Sequence, residues 1–370
     1  MRLGGWLVAA SIVVIAAGCG AGAGGSAGGG GFKVGIMTGT VSQGEDEYRA
    51  GEALARRYGD MVRHVTYPDN FMTEQETTIS LLKGLADDRD VRAIVVAQAI
   101  PGTIAGIKRI RESRPDIVFI LVSPHEDPAQ VAQYGTLSLV TDELRRGETI
   151  VQVAHRMGAK KFVHYSFPRH MSMELLARRR DIMSETAKKL GMEFVQVNAP
   201  DPTGDQGLPG AQKFILEDVP RQVAQHGKDT AFFSTNCGMQ EPLIRAVLEN
   251  GAFFPEQCCP SPTHGYPGAV GLKIDEGMAG DFEKIRAGIA ARLSEKGGSG
   301  RFATWPTSIN IALIEAGVDL ALGHVLGKKS LGDRDWVDSV VERAGGVRVE
   351  LRPLEGHANY QLVLAESVVF

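Results

Sequence analysis

The chain has 370 residues, 43% of them hydrophobic, and a formal net charge of -4. That is enough for one large or two ordinary domains with real cores. The charge is mixed and mildly acidic with no basic block, which argues against nucleic acid as a partner.

Arg2 gives a short positive start, and Leu3 to Ala17 is apolar with many small residues. Such a stretch suits a secretory signal better than a membrane span. It closes on Ala16-Ala17-Gly18-Cys19, which resembles a bacterial lipobox, although Ala16 stands where that motif usually has Leu. The resemblance implies that residues 1–19 hold a lipoprotein signal and that Cys19 becomes the lipidated first residue. An ordinary signal peptide with an incidental cysteine is the other reading. Residues 20–31 are nearly all Gly, Ala and Ser, the composition of a flexible tether. The expected location is therefore outside the cytoplasm, on the bacterial cell membrane through a lipid anchor, facing the periplasm or the exterior.

From Phe32 onward short apolar runs alternate with helix-length amphipathic stretches. The runs are Lys33–Met37, Met61–Val65, Ala93–Ala97, Ile117–Val122 and Thr136–Val140, then Lys161–Tyr165, Glu193–Val197 and Thr230–Ser234. Continuous apolar runs of this length suit strands buried on both faces of a parallel sheet, and the alternation predicts an α/β layered fold. Ser42 with Glu45, and Thr73 with Glu76, have the spacing of helix-opening capping boxes. A helix from Asp142 to Met157 stops at Gly158, and Thr307–Leu326 predicts a long apolar helix near the end. Strand-like runs at Gly346–Leu351 and Tyr360–Ala365 follow.

Three cysteines remain beyond Cys19: Cys237, Cys258 and Cys259. In an exported protein thiols can pair, and an odd number leaves at least one free or paired with another chain. A bridge from Cys237 to Cys258 or Cys259, a vicinal pair, and three buried thiols packed as small hydrophobes all remain open. Neither a CxxC nor a Cys/His spacing points to a metal, and no cofactor is expected.

Gly147 to Val163, GETIVQVAHRMGAKKFV, resembles the crossover of type-I periplasmic binding proteins. There a helix leaves the first lobe, stops at a Gly, and feeds the first strand of the second lobe through a Gly-x-Lys-Lys-hydrophobic junction. The run MTGTVSQGEDEYR at Met37 to Arg49 resembles a group of bacterial lipoproteins of unknown function similar to solute-binding components of ABC importers. The resemblance covers roughly Phe32 to Phe370. It implies two lobes, each a parallel sheet flanked by helices, with residues 32–143 and 303–370 in the first and 144–302 in the second. It also implies a small polar solute held between the lobes, ABC permease subunits as partners, and a monomer.

Ligands of open α/β sheets bind beyond the carboxyl ends of the strands. That rule nominates Thr38, Thr40 and Gln43 after the first strand, with Gly39 letting the backbone come close. Ser42 and Glu45 have a competing role as helix cap. The loop lacks the ending of a phosphate-binding loop. Gln98 and Ser123 follow the third and fourth strands, and Asp142, after the fifth, either caps the crossover helix or enters the cleft. From the second lobe come Ser166, Arg169, Asn236 and Tyr266; Arg169 suits an anionic group, and Tyr266 either stacks on a ring or packs its loop. His125 reads as a ligand contact or an exposed loop residue, and Arg178-Arg179-Arg180 as a solvated helix face.

An enzyme is the rival class. The sequence has no HExxH, no GxSxG elbow at the end of an apolar run and no evident Ser/Cys/His arrangement, and Cys237 is its only plausible nucleophile. Non-enzymatic capture of a hydroxylated or amide-rich solute is the expectation, with a periplasmic sensor module as the alternative.

Overall fold

In the computed structural model, which describes residues 31–370, the apolar runs become strands at the centre of two layered sheets. The leader, Cys19 and the tether up to Gly30 lie outside the described residues. β1 (Lys33–Thr38), β2 (Val62–Thr66), β3 (Val91–Ala97), β4 (Val118–Val122) and β5 (Leu137–Thr141) alternate with α1 (Val41–Tyr58), α2 (Gln75–Ala86), α3 (Thr103–Arg111) and α4 (Pro128–Tyr134). The next stretch runs through α5 (Glu143–Met157), β6 (Lys161–Ser166), α6 (Pro168–Met171), α7 (Glu174–Lys189), β7 (Glu193–Asn198), α8 (Gly207–His226) and β8 (Thr230–Ser234). It continues with α9 (Gln240–Glu249), α10 (Tyr266–Val270), α11 (Phe282–Glu295) and β9 (Ala303–Thr304). The chain then returns through α12 (Ile309–Val325), α13 (Arg334–Gly345), β10 (Glu350–Leu354) and β11 (His357–Leu364), and crosses once more to β12 (Val368–Val369).

The first lobe holds a seven-stranded sheet of order β10-β11-β5-β4-β3-β1-β2. Its pairings are parallel except at the β10 edge. β4 and β5 are buried at every position, as the unbroken apolar run of β4 requires. The order reverses at β1, which has β2 on one side and β3 on the other. Crevices form at such reversals. The second lobe repeats the plan with β7-β6-β8, all parallel. Single bridges from Ala231 to Phe253 and from Phe254 to Phe302 extend it toward the antiparallel β9–β12 pair. The tail from Val368 to Phe370 therefore packs with the second lobe, where the Phe370 ring lies 5.2 Å from that of Tyr266.

The helix starts differ from the capping-box reading. α1 opens after Thr40 without a side-chain cap, and Gly44 is extended, so the helix kinks there. Ser42 Oγ donates to Asp69 instead, and Thr73 Oγ1 donates to the Asn70 carbonyl. Both hydroxyls take partners in the β2–α2 loop, which sequence spacing does not reveal. Aspartates do the capping: Asp127, Asp142, Asp281 and Asp333 each accept from a main-chain N–H three residues on. α4 and α13, both opened by such an Asp, are absent from the predicted elements.

Gly147 sets how closely α5 and α7 approach. A Cβ there would lie 2.8 Å from Ile182 Cβ and 2.9 Å from the Arg179 carbonyl. This contact seats Arg179 beside the start of α5, at the wall between the lobes.

Candidate ligand-binding site

Three chain crossings join the lobes, and one buried polar cluster ties them together. Arg146, fully buried on α5, donates from Nε to Glu256 at 2.8 Å, from one terminal nitrogen to Glu143 at 2.9 Å, and from the other to the Gln257 carbonyl at 2.8 Å. Glu256 also accepts from Trp305 Nε1 at 2.7 Å and Ser367 Oγ at 2.8 Å. Arg146 belongs to the first crossing, Trp305 to the second and Ser367 to the third.

Between the lobes lies a cavity of about 650 Å³, beyond the carboxyl ends of both sheets. A smaller pocket of about 200 Å³ adjoins it, sharing Gln43, Glu47, Cys237 and Cys259. The larger volume falls in the range of small-molecule sites. Its floor is strained backbone. Gln98 at φ 61°, Ala99 at φ 30° and Ser123 at φ 47° occupy the left-handed region at the ends of β3 and β4. Side chains other than Gly and Asn rarely adopt it, and such strain concentrates at ligand sites.

Gln98 Nε2 donates to Glu47 at 2.7 Å, and Asn310 Nδ2, from α12, donates to the other oxygen at 2.9 Å. Burial, with the nearby Cys259, pushes the Glu47 carboxyl well above the ordinary range. His125 from the first lobe and His170 from the second face each other with ring centroids 6.5 Å apart. Burial, assisted by Arg169, lowers His125 to about 4 and His170 well below 6.5, so both rings are neutral at pH 7. Arg179, 1% exposed, lines the cavity and donates to Glu143, while its Nε and a terminal nitrogen have no partner among the described residues.

Glu126 accepts from the main-chain N–H groups of Gly102 at 3.2 Å and Ile104 at 2.7 Å at the start of α3, yet burial still lifts it to about 7. A carboxyl raised on folding binds its proton more tightly in the folded state. Its stabilising contribution is full below about pH 4.5 and is lost as pH rises toward 7, by up to about 3 kcal/mol. Urea unfolding at about pH 5 and pH 8 is expected to show this fall, and Glu126→Gln is expected to flatten it.

Of the residues nominated from sequence, Gln43, Gln98, Ser123, Arg169 and Asn236 line the cavity. Arg169 differs from its expected role, because its fork is held by Asp201 with two contacts of 2.8 Å. Thr38 is fully buried and bonded to His64 Nε2 at 2.7 Å. Thr40 bonds Ser42 at 2.8 Å and donates to Asp69, which fixes the loop. Gly39 is required by its own neighbours: a Cβ would meet Tyr67 Oη at 2.7 Å. Asp142 caps α5 and pairs with Arg352 at 2.5 Å. Ser166 stands behind Thr235, at 2.9 Å, and Thr235 in turn meets His170 Nδ1 at 3.0 Å. Tyr266 is core, donating to the Ala303 carbonyl at 2.8 Å. These five residues do not line the cavity, because each finds a partner that sequence order does not bring near. In the Arg178–Arg180 run, Arg178 is exposed as read, but Arg179 is buried at the site.

Two carboxylates, Glu47 and Asp46, escaped the sequence reading because they lie inside a helix rather than after a strand. Asp46 bridges the lobes, accepting from Ser261 Oγ at 2.7 Å, Thr263 Oγ1 at 2.9 Å and Ser308 Oγ at 2.6 Å.

Residues 32–303 match the family model described as "Protein of unknown function (DUF3798)". An uncharacterized protein of Treponema pallidum (strain Nichols) is 36% identical over 180 residues, 47% of this chain and 81% of its own length. A solved structure from Clostridium difficile 630, described provisionally as a transcriptional regulator, has a TM-score of 0.74 at 29% identity, covering 92% of this chain and 99% of that one. An ABC transporter periplasmic solute binding protein from Actinobacillus succinogenes 130z, with bound D-allose, has a TM-score of 0.54 at 11% identity over 81% of this chain and 93% of that one. At that identity the likeness is one of fold. With the two-lobed fold of type-I periplasmic binding proteins and a match over most of its length, the chain belongs to the DUF3798 family.

Proposed function

We propose that this protein is an extracytoplasmic solute-binding protein, lipid-anchored through Cys19, that closes its lobes on a small polar molecule and delivers it to an ABC permease. The observation that carries the reading is the interlobe cavity of about 650 Å³ at the ends of both parallel sheets. Its lining sets amides, hydroxyls and neutral imidazoles beside charged groups such as Glu143 and Arg179, which suits a hydroxylated or amide-rich solute, and a protein of the same fold binds D-allose. The reading involves no reaction: the lobes move as rigid bodies about the three crossings. Among the described residues no helix is long and apolar enough to cross a membrane, so the anchor would hold the protein at the surface.

Native mass spectrometry of protein made without residues 1–19, before and after mild denaturation and refolding, tests this. Release of a small polar molecule is the expected result. No adduct, and no thermal shift with sugars, nucleosides, amino acids or organic acids, would overturn it. The same assay reads closure. Asp46→Ala removes charge-assisted bonds between the lobes and is expected to weaken retention of the solute about 10-fold or more.

A further inference from the structure

Three thiols from two distant stretches meet at the cavity wall. Cys237 opens a short 3-10 turn after β8, and Cys258 and Cys259 follow the bridge at Phe254. Cys237 Sγ lies 3.4 Å from Cys258 Sγ and 3.3 Å from Cys259 Sγ. A disulfide needs about 2.05 Å, so the three are free thiols in contact. His264 completes the group: one donor atom each from Cys237, Cys258 and His264 lie within 4.8 Å of one another. Two thiolates on one tetrahedral zinc with bonds of about 2.3 Å stand about 3.8 Å apart, so small side-chain adjustments would admit an ion.

The imidazole is held between two main-chain carbonyls. His264 Nδ1 is 2.9 Å from the Cys259 carbonyl and Nε2 is 3.2 Å from the Cys237 carbonyl. A neutral ring has a single N–H and donates to one of these carbonyls; the lone pair of the other nitrogen, beside the second carbonyl, reaches an ion after a small turn of the ring. Metal-bound histidines commonly hold their second nitrogen in this way.

We propose that Cys237, Cys258 and His264, with Cys259 as the fourth donor at hand, form a site for one thiophilic ion of the zinc or cuprous class. Soft sulfur donors with one imidazole select such ions over magnesium or calcium. Binding releases the thiol protons to solvent. Cys237 and Cys259 line both pockets, so the ion would sit where the solute cavity meets the smaller one. The inference stands independently of the solute reading.

The test titrates reduced, metal-stripped protein with cobalt and then zinc alone. One equivalent of cobalt with a thiolate-to-metal charge-transfer band, displaced by zinc, is expected. Cys237→Ser and Cys258→Ser should each abolish the band. His264→Gln should weaken binding by at least about 10-fold. Cys19→Ser should change nothing. Circular dichroism of each variant separates loss of metal from loss of fold. No band while all three thiols react freely would overturn the proposal. So would a disulfide from Cys237 to Cys258 or Cys259 in protein isolated from the cell envelope.

Discussion

Replacing Arg146 by methionine is expected to destabilise the protein by about 3–5 kcal/mol. Its guanidinium is fully buried and bonds Glu143, Glu256 and the Gln257 carbonyl. Removing it strands the fully buried Glu256 carboxylate with only Trp305 and Ser367 as donors. The cost comes chiefly from that uncompensated charge rather than from the lost pair, since buried pairs often do little better than well-packed apolar residues. Pairing Arg146→Met with Glu256→Leu should therefore recover much of the loss, which urea denaturation of the single and double variants would measure. A single-variant loss below about 1 kcal/mol would show that the crossings are held by apolar packing instead.

Arg179→Met is expected to weaken solute binding about 100-fold, near 3 kcal/mol, with a much smaller effect on folding. Glu143 keeps Arg146 and the Thr141 hydroxyl when Arg179 is removed, so no carboxylate is left alone. Two nitrogens of Arg179 lack partners among the described residues, in a side chain that is 1% exposed. Unmet donors of that kind cost more than the average hydrogen bond gains, and an acceptor on the solute would satisfy one of them. Arg178→Ala, on the exposed neighbour, should leave affinity unchanged. Equal affinity in wild type and Arg179→Met, measured by calorimetry with the released solute, would place recognition on the neutral groups alone.

The layered fold could be read from the chain because burial on both faces leaves a plain mark: runs such as Val118–Val122 have no polar position. The rule that ligands gather past strand ends found Gln98, Ser123 and Asn236 for a physical reason, since those loops have nowhere to go but the crevice. It failed for Asp142 and Ser166 because a strand end also faces its neighbours. Arg352, 210 residues away, claims Asp142, and Thr235 claims Ser166. Arg179 and Asn310 were hidden because they lie within helices, where a polar residue ordinarily faces water. The positive φ of Gln98 leaves no sequence trace, because glutamine is not a residue that signals it. The spacing of Cys237, Cys258 and Cys259 left their pairing open and gave no sign of His264 beside them; the bridge between β8 and Phe253 helps bring the two stretches together.

The return of the chain also sets an order of assembly. β11 lies between β5 and β10, so the first lobe lacks the last strands of its sheet until residues near the end of the sequence arrive. The second lobe's three-stranded core, from Lys161 to Ser234, is contiguous and can form while the rest is still being made. Ser367 reaches Glu256 last of all. During synthesis, the half-finished first lobe would thus present the open edge of β5, a row of unpaired main-chain groups that invites association with other chains. The slow, aggregation-exposed step of folding belongs to the lobe that begins first.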